Sequence, residues 1–228
     1  MAGVTPDYLE DFSRELVACR RCERLVAWRE EVGRKKRRAY QNEDYWARPV
    51  PGFGDPTARL LIFGLAPGAH GSNRTGRMFT GDASGEFLYP ALWRAGLASK
   101  PHSQRRNDDL VLQGAFITAA VRCAPPGNKP TRGEFAACSS WTARELALLP
   151  KLRVYLALGR LAHDALLKHQ GLVKARFPFA HGAEYTLPDG RVLIDSYHVS
   201  RQNTQTGRLT AAMFDAVLQR AKALAGLG

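Results

Sequence analysis

A run of apolar residues that passes directly into a glycine-rich loop constrains the fold of this chain most. Residues 59–63 predict a short strand with both faces buried, as in a parallel sheet. The loop that follows, residues 64–82, contains five glycines, which allow positive φ and let a flat or anionic ligand approach main-chain N–H groups. Because ligands of open α/β sheets bind beyond the carboxyl ends of the strands, this stretch predicts a ligand-binding loop rather than an ordinary surface loop.

Predicted strands and helices alternate along the rest of the chain. Apolar runs at 116–121 and 153–158 predict two more buried strands, and residues 183–195 predict a strand–turn–strand unit. Such alternation favours a sheet covered by helices on both faces. We therefore predict an α/β fold: one α/β/α sandwich domain over residues 1–228, with a central, mostly parallel four-stranded sheet and an irregular basic segment at about 29–58. The predicted helices begin at Thr5, Ser84, Thr131, Gly159 and Leu209.

The chain is strongly basic. Its 33 Lys and Arg residues outnumber its 21 Asp and Glu residues by 33 − 21 = 12, and 25 of the basic residues are arginine. Such a charge is typical of proteins that bind a polyanion, and the arginine fork suits phosphate oxygens. We expect nucleic acid as the partner, with a generally basic surface as the alternative. The basic run at 34–38, followed by Tyr40, Tyr45 and Trp46, is either an arm for a nucleic-acid backbone or a solvated helix end.

Membrane association is not expected from the hydropathy of the chain. No apolar run reaches the roughly 18 residues that a membrane helix needs. Residues 1–15 carry acidic side chains where a signal peptide would be basic and then apolar. We expect a soluble, cytoplasmic protein that has no membrane partner and acts as a monomer.

Four cysteines, at positions 19, 22, 123 and 138, are all that the chain contains. In a cytoplasmic protein, four cysteines with one Cys-x-x-Cys pair point to a metal rather than to disulfide bonds. We expect the first helix to run into Cys19 and Cys22, so that both sulfur atoms lie on one face of that helix or of its last turn. A structural zinc site usually has two tight pairs, which Cys123 and Cys138 do not form, whereas a [4Fe-4S] cluster tolerates irregular spacing. Spacing alone leaves three alternatives open: a zinc site, an iron–sulfur cluster, or four buried cysteines that share no ligand.

Taken together, these motifs resemble the uracil-DNA glycosylase superfamily and, within it, the family 5 enzymes. The resemblance covers about residues 15–220 and rests on the order of the cysteines, on the loop 64–82, on Pro125–Pro130 and on His198-Val199-Ser200. It implies the superfamily's α/β/α fold and, as partner, DNA that contains uracil or other deaminated bases. It also implies a structural [4Fe-4S] cluster, in preference to zinc, with the ligands Cys19, Cys22, Cys123 and Cys138.

The resemblance further implies roles for side chains in the loops. A base that is cut from DNA must first be flipped into a pocket, where Phe79 would stack on it. Breaking the N-glycosidic bond builds negative charge on the base, which His198 and main-chain N–H groups would stabilise, while Asp82 would stabilise the cationic sugar or orient water. The implied catalytic residues are Asp82, Asn128 and His198, and the implied base-contacting residues are Gly64, Ala66, Gly68, Phe79 and Ser200.

The segment Val199–Arg208 resembles the insertion loop of the family, which fills the space that a flipped base leaves in the duplex. We expect this segment to be a polar loop. One departure from related families is Leu65, which stands where they have an acidic or amide residue, so the resemblance moves the acid to Asp82. The implied DNA contacts are Arg74, Arg77, Arg201, Gln202, Asn203 and Arg208.

The sequence thus predicts a monofunctional DNA repair glycosylase that removes uracil and related deaminated bases and leaves an abasic site. The alternative is a metal-stapled nucleic-acid-binding module without catalysis, which would not need Asp82, Asn128 and His198 to converge. A nucleotide-binding enzyme that uses the loop 64–82 for phosphate is a third possibility, but the Gly-Lys-Ser/Thr ending of a Walker motif is absent from this loop.

Overall fold

The computed structural model describes residues 6–228, with side chains from Tyr8 onward. The helix start that we expect at Thr5 lies outside the described residues. Within the described range, no helix is both long and apolar enough to cross a membrane.

A mixed sheet forms the centre of the molecule. Its strands, in chain order, are β1 (Phe53–Gly54), β2 (Leu60–Gly64), β3 (Ala115–Ala119), β4 (Val154–Leu158), β5 (Glu184–Thr186) and β6 (Val192–Ser196). The order across the sheet is β1-β3-β2-β4-β6-β5. The four interior strands are parallel, and the two edge strands pair antiparallel to their neighbours.

The predicted parallel four-stranded centre is confirmed, but the strand count is corrected from four to six. Strand β1 is only two residues long and lies in a segment rich in proline and glycine, so no periodicity marks it. Strand β5 is the first arm of the predicted strand–turn–strand unit, and its largely exposed side chains belong to an edge rather than to a core strand. Two short edges therefore extend the expected sheet without changing its parallel core.

Helices cover both faces of the sheet. They are α1 (Pro6–Val17), α2 (Glu23–Lys35), α3 (Ser72–Thr75), α4 (Ala83–Arg94), α5 (Arg132–Ala147), α6 (Arg160–His169), α7 (Arg201–Gln205) and α8 (Ala211–Leu224). Side chains alternate between the faces along each strand, so that Leu60 and Ile62 pack with α4 and α8, while Leu61 and Phe63 pack with α5 and α6. The interior strands, all buried except for Val192 at the start of β6, thus separate two helical layers, as an α/β/α sandwich requires.

Three expectations are corrected by the helix boundaries. Helix α1 ends at Val17, so Cys19 and Cys22 lie in the turn before α2 and not along one helix face. Helix α2 continues to Lys35, so the irregular basic segment begins at residue 36 rather than at about 29. The segment expected as a polar loop after His198 contains the five-residue helix α7. The first helix is thus shorter than its apolar spacing indicates, whereas α2 and α7 form in polar stretches where composition alone favours a loop.

A buried ion pair joins the end of β3 to α5. Arg122 Nη1 and Nη2 donate to Glu145 Oε1 and Oε2 at 2.8 and 2.6 Å, and both side chains are about 1% exposed. Glu145 Oε1 also accepts the Gly52 N–H at 3.1 Å, and the Arg122 carbonyl accepts the Val50 N–H at 2.7 Å. The pair therefore fixes the segment before β1, the end of β3 and α5 against one another.

We predict that Glu145→Ala lowers the free energy of unfolding by about 3–5 kcal/mol, because it leaves the Arg122 guanidinium buried without its counter-charge. The matched control is Asp215→Ala, which breaks the partly exposed pair with Arg94 and should cost about 1 kcal/mol or less. Urea unfolding followed by circular dichroism measures both. Equal losses in the two variants would contradict the importance assigned to the buried pair.

Candidate active site

The loops after β2, β3, β4 and β6 meet in one cleft of about 680 Å³ at the carboxyl ends of the parallel strands. In the sheet, β2 lies between β3 and β4. The chain passes from β2 to β3 on one side of β2 and then crosses from β3 to β4 on the other side. That is the topological switch point at which ligands of open α/β sheets bind. Side chains from all four loops line the cleft, among them Phe79, Asp82, Asn128 and His198.

Phe79 forms one wall of the cleft and packs on the main chain of Gly64. A Cβ atom at Gly64 would lie 2.8 Å from Phe79 Cζ, so only glycine leaves room for the ring. The φ angle of Phe79 is +52°, an unusual value for an aromatic residue and a sign that its surroundings fix its conformation. Gly64 itself does not line the cleft, and its contribution is the space beneath the ring.

Asp82 is the N-cap of α4 and also faces the cleft. Its Oδ1 atom accepts the N–H groups of Ser84 and Gly85 at 3.1 and 3.2 Å. Its Oδ2 atom lies against glycine main chain: a Cβ atom would approach it to 2.8 Å at Gly68 and to 2.0 Å at Gly71. The Oδ1 atom thus caps helix α4, whereas the Oδ2 atom lies against the main chain of Gly68 and Gly71 in the loop that lines the cleft.

The environment of Asp82 changes its acidity. Burial raises the pKa of the Asp82 carboxyl above its ordinary value of 3.8, while the N–H groups of Gly85 and Ser84 lower it. Glu86 raises the same pKa and Arg74 lowers it through their charges. A partly desolvated carboxylate of this kind interacts more strongly with a nearby cation or water molecule than an exposed one does.

His198 comes from the loop after β6, lines the same cleft and packs on Gly159. A Cβ atom at Gly159 would lie 3.0 Å from His198 Cβ, and the φ angle of Gly159 is +93°. The Asn203 Nδ2 atom donates to the His198 carbonyl at 2.8 Å and so fixes the backbone at this position. Burial lowers the pKa of His198 below its ordinary value of 6.5, so the ring is neutral at pH 7 and can donate a single N–H.

Most of the other residues expected in the site lie in the cleft. Asn128 is exposed and ends a tight turn at residues 126–128, with a φ angle of +56°. Exposed Arg201 and Gln202 extend from α7 at the rim of the cleft. Arg208 lines a neighbouring cavity of about 430 Å³, where its guanidinium carbon lies 4.8 Å from the centre of the Tyr197 ring. Ala66, Gly68 and Ser200 complete the expected lining, and Leu65 lies beside them.

Arg74 and Arg77 are corrected from DNA contacts to internal residues. Their side chains are only about 8% exposed. Arg74 donates to the carbonyls of His70 and Gly81, and Arg77 contacts Ser103 and Asp108. Their guanidinium groups are thus occupied within the protein and hold the loop in place. Asn203 is likewise partly buried and bonded to main chain, so its amide is not at the exposed tip of the segment.

The sequence does not identify every residue of the cleft. Met78, Leu158 and Leu161 supply apolar lining, and Gly159 and Arg160 supply the turn from β4 into α6. The sequence predicts the buried strand at 153–158, and the carboxyl end of that strand is the signal that points to Gly159, Arg160 and Leu161. Met78 carries no such signal, because its apolar side chain does not differ in sequence from a core residue.

The four cysteines surround one small apolar cavity beneath the turn between α1 and α2. Cys123 and Cys138 are buried, and Cys19 and Cys22 are partly exposed. Arg29 Nη1 donates to Cys123 Sγ at 2.9 Å. Burial raises the pKa of the Cys123 thiol to about 12 and also raises that of Cys138. Within residues 6–228, no three His, Cys, Asp or Glu side chains come together as ligands of a single metal ion.

Several buried donors at this cavity have no hydrogen-bond partner in the described part of the chain. They are Arg29 Nε, Arg122 Nε and Trp141 Nε1, and all three residues line the cavity. Unpaired buried N–H groups are costly unless an acceptor satisfies them. The combination of four sulfur ligands, two buried guanidinium groups and unpaired N–H donors fits a group that is larger than one ion and rich in negative charge.

Comparison with known proteins agrees with this geometry. The family model described as "Uracil DNA glycosylase superfamily" matches residues 51–222. The chain is 68% identical over 219 residues to a type-5 uracil-DNA glycosylase of Thermus thermophilus, covering 96% of this chain and 99% of that protein. It is 50% identical to a type-5 uracil-DNA glycosylase of Mycobacterium leprae, covering 96% of each.

A more distant relative is the type-4 uracil-DNA glycosylase of Pyrobaculum aerophilum, which is 36% identical over 128 residues, covering 56% of this chain and 57% of that protein. A type-5 enzyme of the same organism is 48% identical over 219 residues. These type-5 proteins each match 96% of this chain, whereas the type-4 protein matches 56% of it. The chain therefore belongs to the uracil-DNA glycosylase superfamily and, within it, to the type-5 uracil-DNA glycosylases.

Proposed function

We propose that this protein is a monofunctional DNA repair glycosylase that removes uracil and related deaminated bases from DNA by hydrolysing the N-glycosidic bond. One observation carries the proposal: Phe79, Asp82, Asn128 and His198, from three separate loops, line one cleft in a chain that is 68% identical to a type-5 uracil-DNA glycosylase. A purely nucleic-acid-binding module would not need these side chains to converge.

The cleft can accept a base only after the base has left the duplex stack. Phe79 would stack on the flipped base, since aromatic stacking contributes about 1–3 kcal/mol per base. Met78 and Leu158 add apolar lining, which excludes water from the reacting bond. Asn128, at the exposed edge of the cleft, both donates and accepts hydrogen bonds and would read the base edge or hold a water molecule.

Departure of the base requires a partner for the negative charge that builds on its carbonyl oxygen. A neutral His198 would donate one N–H to that oxygen, because burial keeps the ring uncharged at pH 7. Gly159 packs against His198 and Asn203 holds its carbonyl, so little reorganisation is needed when the charge develops. The main chain near Ala66 and Gly68 would supply further N–H donors.

The sugar becomes cationic as the bond breaks, and Asp82 is the carboxylate that lines the cleft. Its Oδ2 atom would stabilise the anomeric carbon or orient the attacking water toward it. Leu65 lines the same cleft and has no group that could share this role. Arg201 and Gln202 at the rim, and Arg208 beside it, would contact the DNA backbone of a duplex bound by one copy of the protein.

The cysteine cavity would hold a [4Fe-4S] cluster through Cys19, Cys22, Cys123 and Cys138. Such a cluster supplies four iron–thiolate bonds and negative charge, and here its contribution would be structural. Arg29 would place its guanidinium beside the sulfur atoms, and Arg122 and Trp141 would offer the N–H groups that lack other partners. Cys123 lies five residues before Asn128, so the bound cluster would anchor the loop that carries Asn128 to α1, α2 and α5.

We predict that the protein converts a duplex with a single uracil into one with an alkali-labile abasic site, and that Asp82→Asn abolishes turnover while binding stays near the parent value. Asparagine is as good an N-cap as aspartate, so α4 stays intact. A gel assay after alkali treatment measures the product, and Asp55→Asn is the matched control. Asp55 also accepts main-chain N–H bonds, but at the amino ends of the strands.

Failure of the parent protein to produce an abasic site opposite any base would contradict the proposed function and favour the non-catalytic module. Parent-like turnover by Asp82→Asn would remove Asp82 from the mechanism. A loss of turnover in Asp55→Asn equal to that in Asp82→Asn would mean that the effect is one of folding.

The acid limb of the pH–rate profile should report Asp82. Because burial raises the pKa of this carboxyl above 3.8, its active ionised form is lost as the pH falls through a value above 3.8. We predict that kcat/KM for uracil release declines through that region in the parent and that Asp82→Glu shifts the limb. Activity that stays constant to below pH 3.8 in a protein that remains folded would contradict the assignment.

We predict that the purified protein is brown, contains iron and acid-labile sulfide, and loses both together with thermal stability in Cys138→Ser. The matched control is Ser139→Ala, which changes the next residue of the same helix without touching a thiol. Visible absorption and metal analysis measure the outcome. A colourless protein with one equivalent of zinc would contradict the cluster and support the alternative site.

A further inference from the structure

Arg74 bonds to both ends of residues 70–81, the segment that leads into Asp82. Its Nε atom donates to the His70 carbonyl at 2.8 Å, and its Nη2 atom donates to the Gly81 carbonyl at 2.9 Å. Gly81 directly precedes Asp82 in the chain. The fit is close, since a Cβ atom at Gly81 would lie 2.4 Å from Arg74 Nη2. The guanidinium therefore sets the spacing between the start of this segment and its end.

A second segment, residues 40–47, clamps Arg74 from outside the loop. The Glu43 carboxylate forms an ion pair with Arg74 Nη1, and the Arg74 guanidinium carbon lies 3.9 Å from the centre of the Tyr40 ring. Main-chain bonds of 2.9 Å run from Trp46 N–H to the Arg74 carbonyl and from Ala47 N–H to the Asn73 carbonyl. This segment, called the clamp below, follows the exposed basic run at 34–38.

Arg74 is unlike Arg77, which lies in the same loop and is equally buried. Arg77 contacts Ser103, Asp108 and the Arg106 carbonyl, all of which lie outside the loop. Arg74 instead bonds two carbonyls of the loop itself, and its charge also acts on the Asp82 carboxyl. The two arginines therefore carry the same guanidinium group, but that of Arg74 bonds to main chain within the loop and that of Arg77 bonds to residues outside it.

We propose that Arg74, oriented by Glu43 and Tyr40 of the clamp, is a positioning residue that holds Asp82 in its reactive geometry. The inference rests on the proposed function of Asp82. A lysine cannot replace Arg74, because a single ammonium cannot reach two carbonyls, a carboxylate and a ring face in the fixed plane of a guanidinium. The clamp makes the position of Asp82 depend on residues that lie more than thirty positions earlier in the chain.

The test compares Glu43→Gln, which removes the charge that pairs with Arg74, with Asp44→Asn, which removes the same charge from the next residue, an exposed carboxylate. Single-turnover uracil release, affinity for a uracil duplex and amide hydrogen exchange at residues 82–86 are measured on all variants. Glu43→Gln should exchange faster at Ser84 and Gly85, whose N–H groups bond to Asp82, and should release uracil more slowly with unchanged affinity. Asp44→Asn should match the parent in all three.

Arg74→Lys and Arg77→Lys form the second comparison. Misplacement of a catalytic group by about 1 Å can cost about 10²-fold in rate, and we expect a loss of that order for Arg74→Lys alone, without a matching loss of affinity. Unchanged exchange at 82–86 in Glu43→Gln would overturn the inference whether or not the parent is active. Equal losses of rate in the two lysine variants would also overturn it, while absence of activity in the parent would overturn only the proposed function.

Discussion

The parallel register of β2 between β3 and β4 is the constraint on which the cleft depends. Leu60 pairs with Ala115 on one side and with Val154 on the other, so the three strands end at the same edge. The connection from β2 to β3 passes through α4 on one face of the sheet, and the connection from β3 to β4 passes through α5 on the other face. The loops after β2, β3, β4 and β6 therefore all leave the sheet at that edge. Phe79, Asn128 and His198, which are far apart in sequence, meet there for this reason.

Close packing against glycine main chain fixes the side chains that face the cleft. Phe79 lies on Gly64, Asp82 lies on Gly71 and His198 lies on Gly159, each at a distance that excludes a Cβ atom or forces a neighbour to move. The sequence predicts that the glycines of the loop 64–82 form a cradle for a ligand. Gly64 and Gly71 contribute instead by letting the Phe79 and Asp82 side chains lie close to the backbone. This arrangement places chemical groups on a rigid main chain, which limits their reorganisation during a reaction.

Prediction from sequence succeeded where a pattern is local. Buried strands at β2, β3 and β4 follow from apolar runs, the start of α5 follows from Thr131, and the loop positions of Asp82, Asn128 and His198 follow from the strand ends. It failed where the outcome depends on distant partners. Arg74 and Arg77 look like DNA contacts in sequence, but Glu43, Asp108 and two aromatic rings bury them, and no local pattern reveals those partners.

The central claim is that the cleft between Phe79 and His198 is a pocket for a flipped base. A crystal structure of Asp82→Asn bound to a duplex with one uracil tests it most directly, because the variant should bind the substrate without cleaving it. The account predicts a uracil ring stacked on Phe79, with a His198 nitrogen at hydrogen-bond distance from a base carbonyl oxygen. A uracil that stays stacked in the duplex, or that is bound away from this cleft, would contradict it.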